Sequence, residues 1–533
     1  GVLITMDTTN AGALDIYGKD RGLTPRLKAL ATESVIFDNA HTVAPITLPA
    51  HTSMLTGLYP LRHGVRENGI MKLSLSAETL AERASESGFQ TAAFVSAPVL
   101  FARYGLDQGF DVYDQPADTA NTSRAHVEGR SSKTVTNQAL NWLRTRDQQR
   151  PFFLWIHYFN PHLPYAPPAE FMRKAGGNEY FAEVAAMDHD IGRLIDGLAE
   201  VVGLDKLTLA VVADHGEAFQ AHGEPTHAVF CYDATVRVPF LLRFPDGRRA
   251  GTRTQENVSV VDLFPTFLEE LGLGTAADAD GISLASNSVP EDRGVYMESY
   301  SGYLSYGWSP ISGWLDSDGK YLHSSEPEFY HLAKDPKEEV NLLADGAMDV
   351  SRYTDAIREL SRLPRLQAGG DVDLTPQQIR DLNALGYVAA GQDSKILPDP
   401  LDPSDLLSPV TQADVYAKSS LAIGLVGAGM HERAIPLLLE IISTNPEDIY
   451  SLQNLGLSMV AMGRFYEAID PLEQALLRSP QHQQSRVCLG LAYEQTGELK
   501  KSLMNYKQAE VLLPGARGVA EAIARLEAAI ARD

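Results

Sequence analysis

A mostly parallel α/β sheet flanked by helices, a small antiparallel subdomain, and a terminal all-α region are the fold class that this 533-residue sequence predicts. Three observations predict it. Short apolar runs alternate with amphipathic stretches through the first half, a Tyr-rich and turn-broken segment follows, and residues 412–533 repeat with a period of 34. At this length more than one core is required, each large enough to bury apolar surface without disulfides.

The runs Val2-Leu3-Ile4-Thr5-Met6, Thr91 to Val95, Phe152 to Ile156 and Leu207 to Val212 read as buried strands. Continuous apolar runs of this kind belong to parallel sheets covered on both faces. Between them, Pro25 to Glu33, Leu80 to Ser87 and Val184 to Leu198 carry helical periodicity, which completes the βα alternation. From 293 to 343, segments such as Gly319 to His323 and Glu328 to Leu332 predict a small antiparallel sheet within the same domain, 1–388. Residues 389–411 are rich in Pro, Asp and Ser and are expected to be a linker.

In 412–533, Ala422, Gly456 and Gly490 fall in register. So do Gly429, Gly463 and Gly497, then Ala434, Ala468 and Ser502, and finally Pro446, Pro480 and Pro514. Small residues let paired helices approach closely, the glycine ends the first helix of each pair, and the proline stops the second. The pattern is that of three tetratricopeptide repeats with a capping helix from Gly518; an irregular helical bundle is the plainer alternative. Such repeats form concave surfaces, so a protein or peptide partner is expected, with self-association as the alternative.

A formal charge of -24 excludes nucleic acid and anionic membrane as partners, because either demands a basic face. A small anionic ester remains compatible, since bound cations invert the local field. Two cysteines, Cys231 and Cys488, are expected to be unpaired. No apolar run reaches the ~20 residues needed to span a bilayer. The chain starts at Gly1 almost directly in a strand, so a signal or membrane anchor upstream is compatible with it, and an extracytoplasmic location is expected.

Asp7 closes the first apolar run, and Asp214-His215 closes another, Leu207 to Ala213. Strand ends are where open α/β sheets bind ligands, and two carboxylates with an imidazole suit a divalent cation. Taken singly, each Asp is as readily a turn former or a helix cap. Thr47 precedes Leu48-Pro49 at the expected start of a helix, where it reads as an N-cap that could also serve as an activated hydroxyl. His157 and His162 form one short segment, His222 and His227 another, so four of 14 histidines are expected at one crevice.

The segment Thr47-Leu48-Pro49-Ala50-His51, followed by Thr52 to Gly57, resembles the nucleophile segment of the sulfatase branch of the alkaline phosphatase superfamily. Other motifs carry the same resemblance: Thr24 to Leu30, Leu55 to Pro60 with His63-Gly64-Val65, Asn160 to Tyr165, Ala213 to Glu217, Arg237 to Phe240, Asp335-Pro336, and Leu382 to Val388. The resemblance implies that Asp7, Thr47, Asp214 and His215 hold one metal and that Thr47 forms a covalent intermediate. It implies roles for His162 and His227 at the transferred group, and for Asn160, His51 and His222 in binding substrate. A second metal would fall to His157, His162 and His227, with zinc, manganese or calcium as the ions considered.

The sequence departs from the sulfatase pattern where chemistry is decided. Thr47 stands in place of the Cys or Ser that becomes formylglycine, His51 replaces an arginine, and the usual paired acid after the first strand is Asp7-Thr8. These departures point to phosphate mono- or diesters, with sulfate esters cleaved without formylglycine, phosphoryl-group transfer, and a non-catalytic scaffold as alternatives.

Overall fold

In the computed structural model the chain is described except for residues 117–129, 286–288, 345–347, 368, 371, 373–377, 379–396, 481, 513–517 and 532–533. Twelve strands among the described residues form two sheets. The first has eight strands in the order β4-β3-β5-β1-β6-β7-β2-β8. These are β1 (Val2–Met6), β2 (Val35–His41), β3 (Gln90–Phe94), β4 (Val112–Asp114), β5 (Phe152–Tyr158), β6 (Leu209–Ala213), β7 (Phe240–Arg243) and β8 (Arg253–Ser259). β7 alone runs antiparallel to its neighbours β6 and β2.

All five residues of β1 are buried, because β5 and β6 pair with it on either side and its apolar side chains lie within the main core. That is why it reads as an unbroken apolar run. The four strands anticipated from sequence are β1, β3, β5 and β6, and the three anticipated helices are Pro25–Ala31, Leu80–Glu86 and Glu179–Val201. β2, β7 and β8 carry polar residues within them, which hid their periodicity: Asp38 and Asn39 in β2, Arg243 in β7, and Arg253 to Asn257 in β8.

The second sheet is fully antiparallel, β12-β11-β10-β9, built from β9 (Val295–Ser299), β10 (Ile311–Leu315), β11 (Lys320–His323) and β12 (Glu328–Tyr330). It lies within the predicted 293–343 segment. The later part of the expected linker makes contacts with the small sheet. Tyr300 Oη donates to the Pro398 carbonyl at 2.9 Å, Ser312 Oγ to Pro400 at 2.7 Å, and Ser309 N to Leu407 at 2.9 Å, so the chain from 397 is tied along the small sheet. The earlier part of that segment and the Leu382 to Val388 motif lie outside the described residues.

The C-terminal region is all helical: Ala413–Gly427 with His431–Thr444, Ile449–Ala461 with Phe465–Arg478, Gln483–Gln495 with Leu499–Leu512, then Val519–Ile530. The in-phase glycines Gly429, Gly463 and Gly497 have φ of 72°, 73° and 87°, where a side chain would strain the turn. At Gly456 a Cβ would stand 2.4 Å from Leu472 Cγ, so the small residue sets the approach of that pair. Cys231 and Cys488 are both free. No helix among the described residues is long and apolar enough to cross a membrane.

Candidate active site

The parallel register β5-β1-β6 assembles the site. Thr5 pairs with His157, and Met6 pairs with both Tyr158 and Ala213, so Asp7 leaves β1 beside Asp214 leaving β6. Asp7 N donates to the Tyr158 carbonyl at 2.9 Å and Asp214 N to the Met6 carbonyl at 3.2 Å. Thr8 takes φ 49°, costly for a β-branched residue, and in that conformation its N–H reaches Asp214 Oδ1 at 3.1 Å. Its hydroxyl donates to Asp7 Oδ1 at 2.7 Å. Gly216 lets the next turn pass the Ala234 carbonyl, which a Cβ would meet at 2.5 Å.

Asp7, Asp214 and His215 each offer one ligand atom, all within 4.8 Å of one another and all buried. His215 Nδ1 lies 3.1 Å from the Gly216 carbonyl and donates to it, which leaves the lone pair on Nε2. Nε2 stands 3.7 Å from Asp7 Oδ1, 3.6 Å from Asp214 Oδ2 and 3.3 Å from Thr47 Oγ1. Asp7 Oδ2 and Asp214 Oδ2 are buried without a hydrogen-bond partner. Burial holds both carboxyls above their usual range, and for Asp214 the neighbouring Asp7 adds to it. Asp7, Asp214 and one imidazole lone pair gathered within 4.8 Å are the donor set of a divalent cation.

Thr47 is the first residue of the Thr47–Thr56 helix, and the N-cap position falls to Ile46, so the expected capping role is corrected. The Thr47 hydroxyl is instead directed at His215. Behind it, Leu48 N donates to Asn68 Oδ1 at 2.8 Å and His51 Nδ1 donates to the Thr47 carbonyl at 2.8 Å, which fixes the helix start.

The remaining predicted residues divide. His51 is fully buried, its Nε2 3.0 Å from Thr5 Oγ1, and it props Thr47 through the Thr47 carbonyl. His157 Nε2 lies 3.3 Å from Asp7 Oδ2, and Ser96 N–H approaches Nδ1 at 3.4 Å. His157 and His51 also form a second ligand group with Asp214. His162 and His227 meet edge to face at 5.4 Å, and His227 lies 4.4 Å from His215 between ring centroids. The expected trio His157, His162 and His227 is not among the ligand groups that the described residues form, because His157 sits on the far side of Asp7. Burial lowers His51 and His157 to about 3 and His162 and His227 to about 4.

Asn160 and His222 make contacts within the protein. Asn160 donates to Glu183 and accepts from Ser132 N at 3.1 Å, so its amide is committed to the scaffold. His222 stacks on Tyr232 at 3.7 Å and its Nε2 reaches the Lys337 carbonyl at 3.0 Å, outside the cluster.

Sequence reasoning missed Glu217. It is buried, both carboxyl oxygens lack a hydrogen-bond partner, and Oε1 lies 3.7 Å from His227 Nδ1. Burial raises its pKa well above the ordinary value. It stands at the end of the Ala213 to Glu217 motif, but that spacing does not say that its oxygens find no partner.

Residues 1–273 match the sulfatase family, and the chain belongs to that family of ester hydrolases. It is 24% identical to an arylsulfatase of Clostridium perfringens, over 64% of this chain and 89% of that one. It is 25% identical to a choline-sulfatase of Rhizobium meliloti, over 67% and 85%. Among solved structures, the phosphonate monoester hydrolase of Agrobacterium radiobacter superposes with a TM-score of 0.57 at 20% identity, covering 70% of this chain and 99% of that one. The likeness to that solved structure is one of fold.

Proposed function

We propose that this chain hydrolyses phosphate mono- or diesters through a covalent Thr47 intermediate, with one divalent cation held by Asp7, Asp214 and His215. The observation that carries the reading is Thr47 Oγ1 at 3.3 Å from His215 Nε2, which itself lies beside the Asp7 and Asp214 carboxylates. A cation there, zinc, manganese or calcium, supplies positive charge that lowers the pKa of the Thr47 hydroxyl and offsets charge on the ester oxygens.

Thr47, its hydroxyl proton given up to solvent once its pKa is lowered, attacks phosphorus as the alkoxide, the bond to the leaving oxygen breaks, and a Thr47 phosphoester forms. Glu217, its pKa raised by burial, hands a proton through His227 to the leaving oxygen, while His162 faces the transferred group. Water then cleaves the phosphoester, and its proton returns along the same pair. Thr47 favours phosphorus, because neither cysteine lies in the nucleophile segment and threonine does not form formylglycine. Sulfate esters are the second reading, favoured by the names of the relatives above.

Aryl phosphate monoester, phosphodiester and sulfate substrates, assayed with each metal, test this. Phosphoester turnover lost by at least ~10³-fold in Thr47→Ala supports it. Sulfate turnover that survives Thr47→Ala overturns it.

A further inference from the structure

A cavity of about 310 Å³ lies between the hydrolase site and the helical region, with His162 and His227 on its inner wall. The opposite wall comes from the first helix of each helical pair. Tyr416, Tyr450 and Gln484 line it at successive intervals of 34 residues, as do Ser420, Asn454 and Cys488 one turn further on. The periodic inner face is therefore turned onto the catalytic residues. The two parts are joined there: Tyr416 Oη donates to the His227 carbonyl at 2.9 Å, and Tyr306 of the hydrolase part meets Tyr416 and Tyr450 at 5.9 and 6.1 Å between centroids.

None of the described residues lining the cavity is Lys, Arg, Asp or Glu, although 21% of the chain is charged. An ionised group entering it would lose its water without gaining a counter-charge. Tyrosine rings with Ile423 and Leu457 offer apolar surface instead. Tyr450 Oη and Gln453 Nε2 are buried without a hydrogen-bond partner, on side chains more than nine-tenths buried. The volume is roughly twice the ~150 Å³ that accepts one benzene ring.

We propose that this cavity is the leaving-group site, and that it takes an uncharged alcohol or phenol of one or two rings bearing a hydrogen-bond acceptor for Gln453 and Tyr450. The helical region thereby selects the substrate. Its inner face is a substrate wall, and not the peptide-binding groove expected from the repeats. The family match ends at residue 273, so this wall lies outside it. The inference rests on the hydrolase reading above.

Two esters of the same acid separate the two ideas: a 4-methylumbelliferyl ester, whose leaving group has two rings and a carbonyl, and a methyl ester. In Leu457→Lys, and in the milder Asn454→Lys, kcat/KM for the umbelliferyl ester should fall about tenfold or more, chiefly through KM, while the methyl ester changes less than twofold. Free 4-methylumbelliferone should bind the wild-type full chain, and bind Leu457→Lys and Asn454→Lys at least tenfold more weakly. Tyr450→Phe, which removes only the hydroxyl, should weaken that binding severalfold. Equal loss on both esters, preference for a carboxylated phenol or a sulfated disaccharide, or no binding of free umbelliferone overturns the proposal. If neither ester is cleaved, the hydrolase reading falls, and umbelliferone binding still decides the cavity.

Discussion

Asp7 and Asp214 concentrate the conflict that makes a catalytic centre. Each buries an oxygen that no protein donor satisfies, and burial holds both carboxyls up against ionisation. A structure built for stability alone would not place two such carboxyls side by side. Asp214→Asn, which keeps the shape and removes one charge, should therefore act in opposite directions according to the metal. In chelator its Tm should exceed that of the wild type; with metal the order should reverse, because the wild type alone gains binding energy on folding. Bound metal, measured by mass spectrometry, should drop below one equivalent in the variant. A variant less stable than wild type in chelator as well would show that the carboxylates are held by contacts within the protein. Asp7, Asp214, His215 and Thr47 were legible in the sequence because strand ends and motif order mark them. Glu217 was not, since nothing in its spacing says that its oxygens find no partner. The contacts of Asn160 with Glu183 and of His222 with the Lys337 carbonyl were not legible either, because each partner is distant in sequence.

At the scale of elements, the loop after β6 carries His227 and is held by Glu224. Its carboxylate accepts from Val229 N at 2.8 Å and Phe230 N at 3.3 Å, and burial raises its pKa from 4.5 to about 8. The folded state therefore binds the proton more tightly than the unfolded chain. This group's contribution to stability is fully present below pH 4.5, declines as pH rises through 8, and is flat beyond. Glu224→Gln, which remains an acceptor but does not ionise, should remove that decline. The difference in unfolding free energy between variant and wild type should shift by a few kcal/mol in favour of the variant between pH 5 and 8.5, by denaturant titration. A difference constant with pH would mean that Glu224 stays ionised in the fold. Among the helical pairs, Gly456→Ala should cost about 1–3 kcal/mol, because its Cβ would enter Leu472 and a packed helix pair has little room to yield. An unchanged Tm in that variant would show that the pair can open. Helix boundaries here were legible to within a few residues, since glycines of positive φ recur every 34 residues. β2, β7 and β8 were not, because polar residues within them masked the burial that the sheet imposes.

For the whole molecule, sequence separates a catalytic part from a helical part at a Pro-rich linker, whereas the structure joins them through one aromatic cluster. Tyr416, the first cavity-lining residue of the helical region, packs with Phe230, Tyr306 and Trp308, and its hydroxyl fixes the His227 carbonyl. No local pattern announces this, because the contacting residues are far apart in sequence and Tyr416 differs from its counterpart Tyr450 only in what lies opposite. The consequence is that folding of the two parts should be coupled and that the coupling should reach the chemistry. Tyr416→Ala removes a buried ring and should cost about 3–5 kcal/mol at the junction. Calorimetry should then resolve two thermal transitions where the wild type gives one, and kcat should fall as the His227 loop loses its anchor. Tyr416→Phe keeps the ring and loses only the hydrogen bond, so it should cost about 1 kcal/mol, retain a single transition and still lower kcat. Two transitions already present in the wild type, or a Tyr416→Ala variant of undiminished kcat, would mean that the helical region rests against the hydrolase without holding its catalytic loop in place.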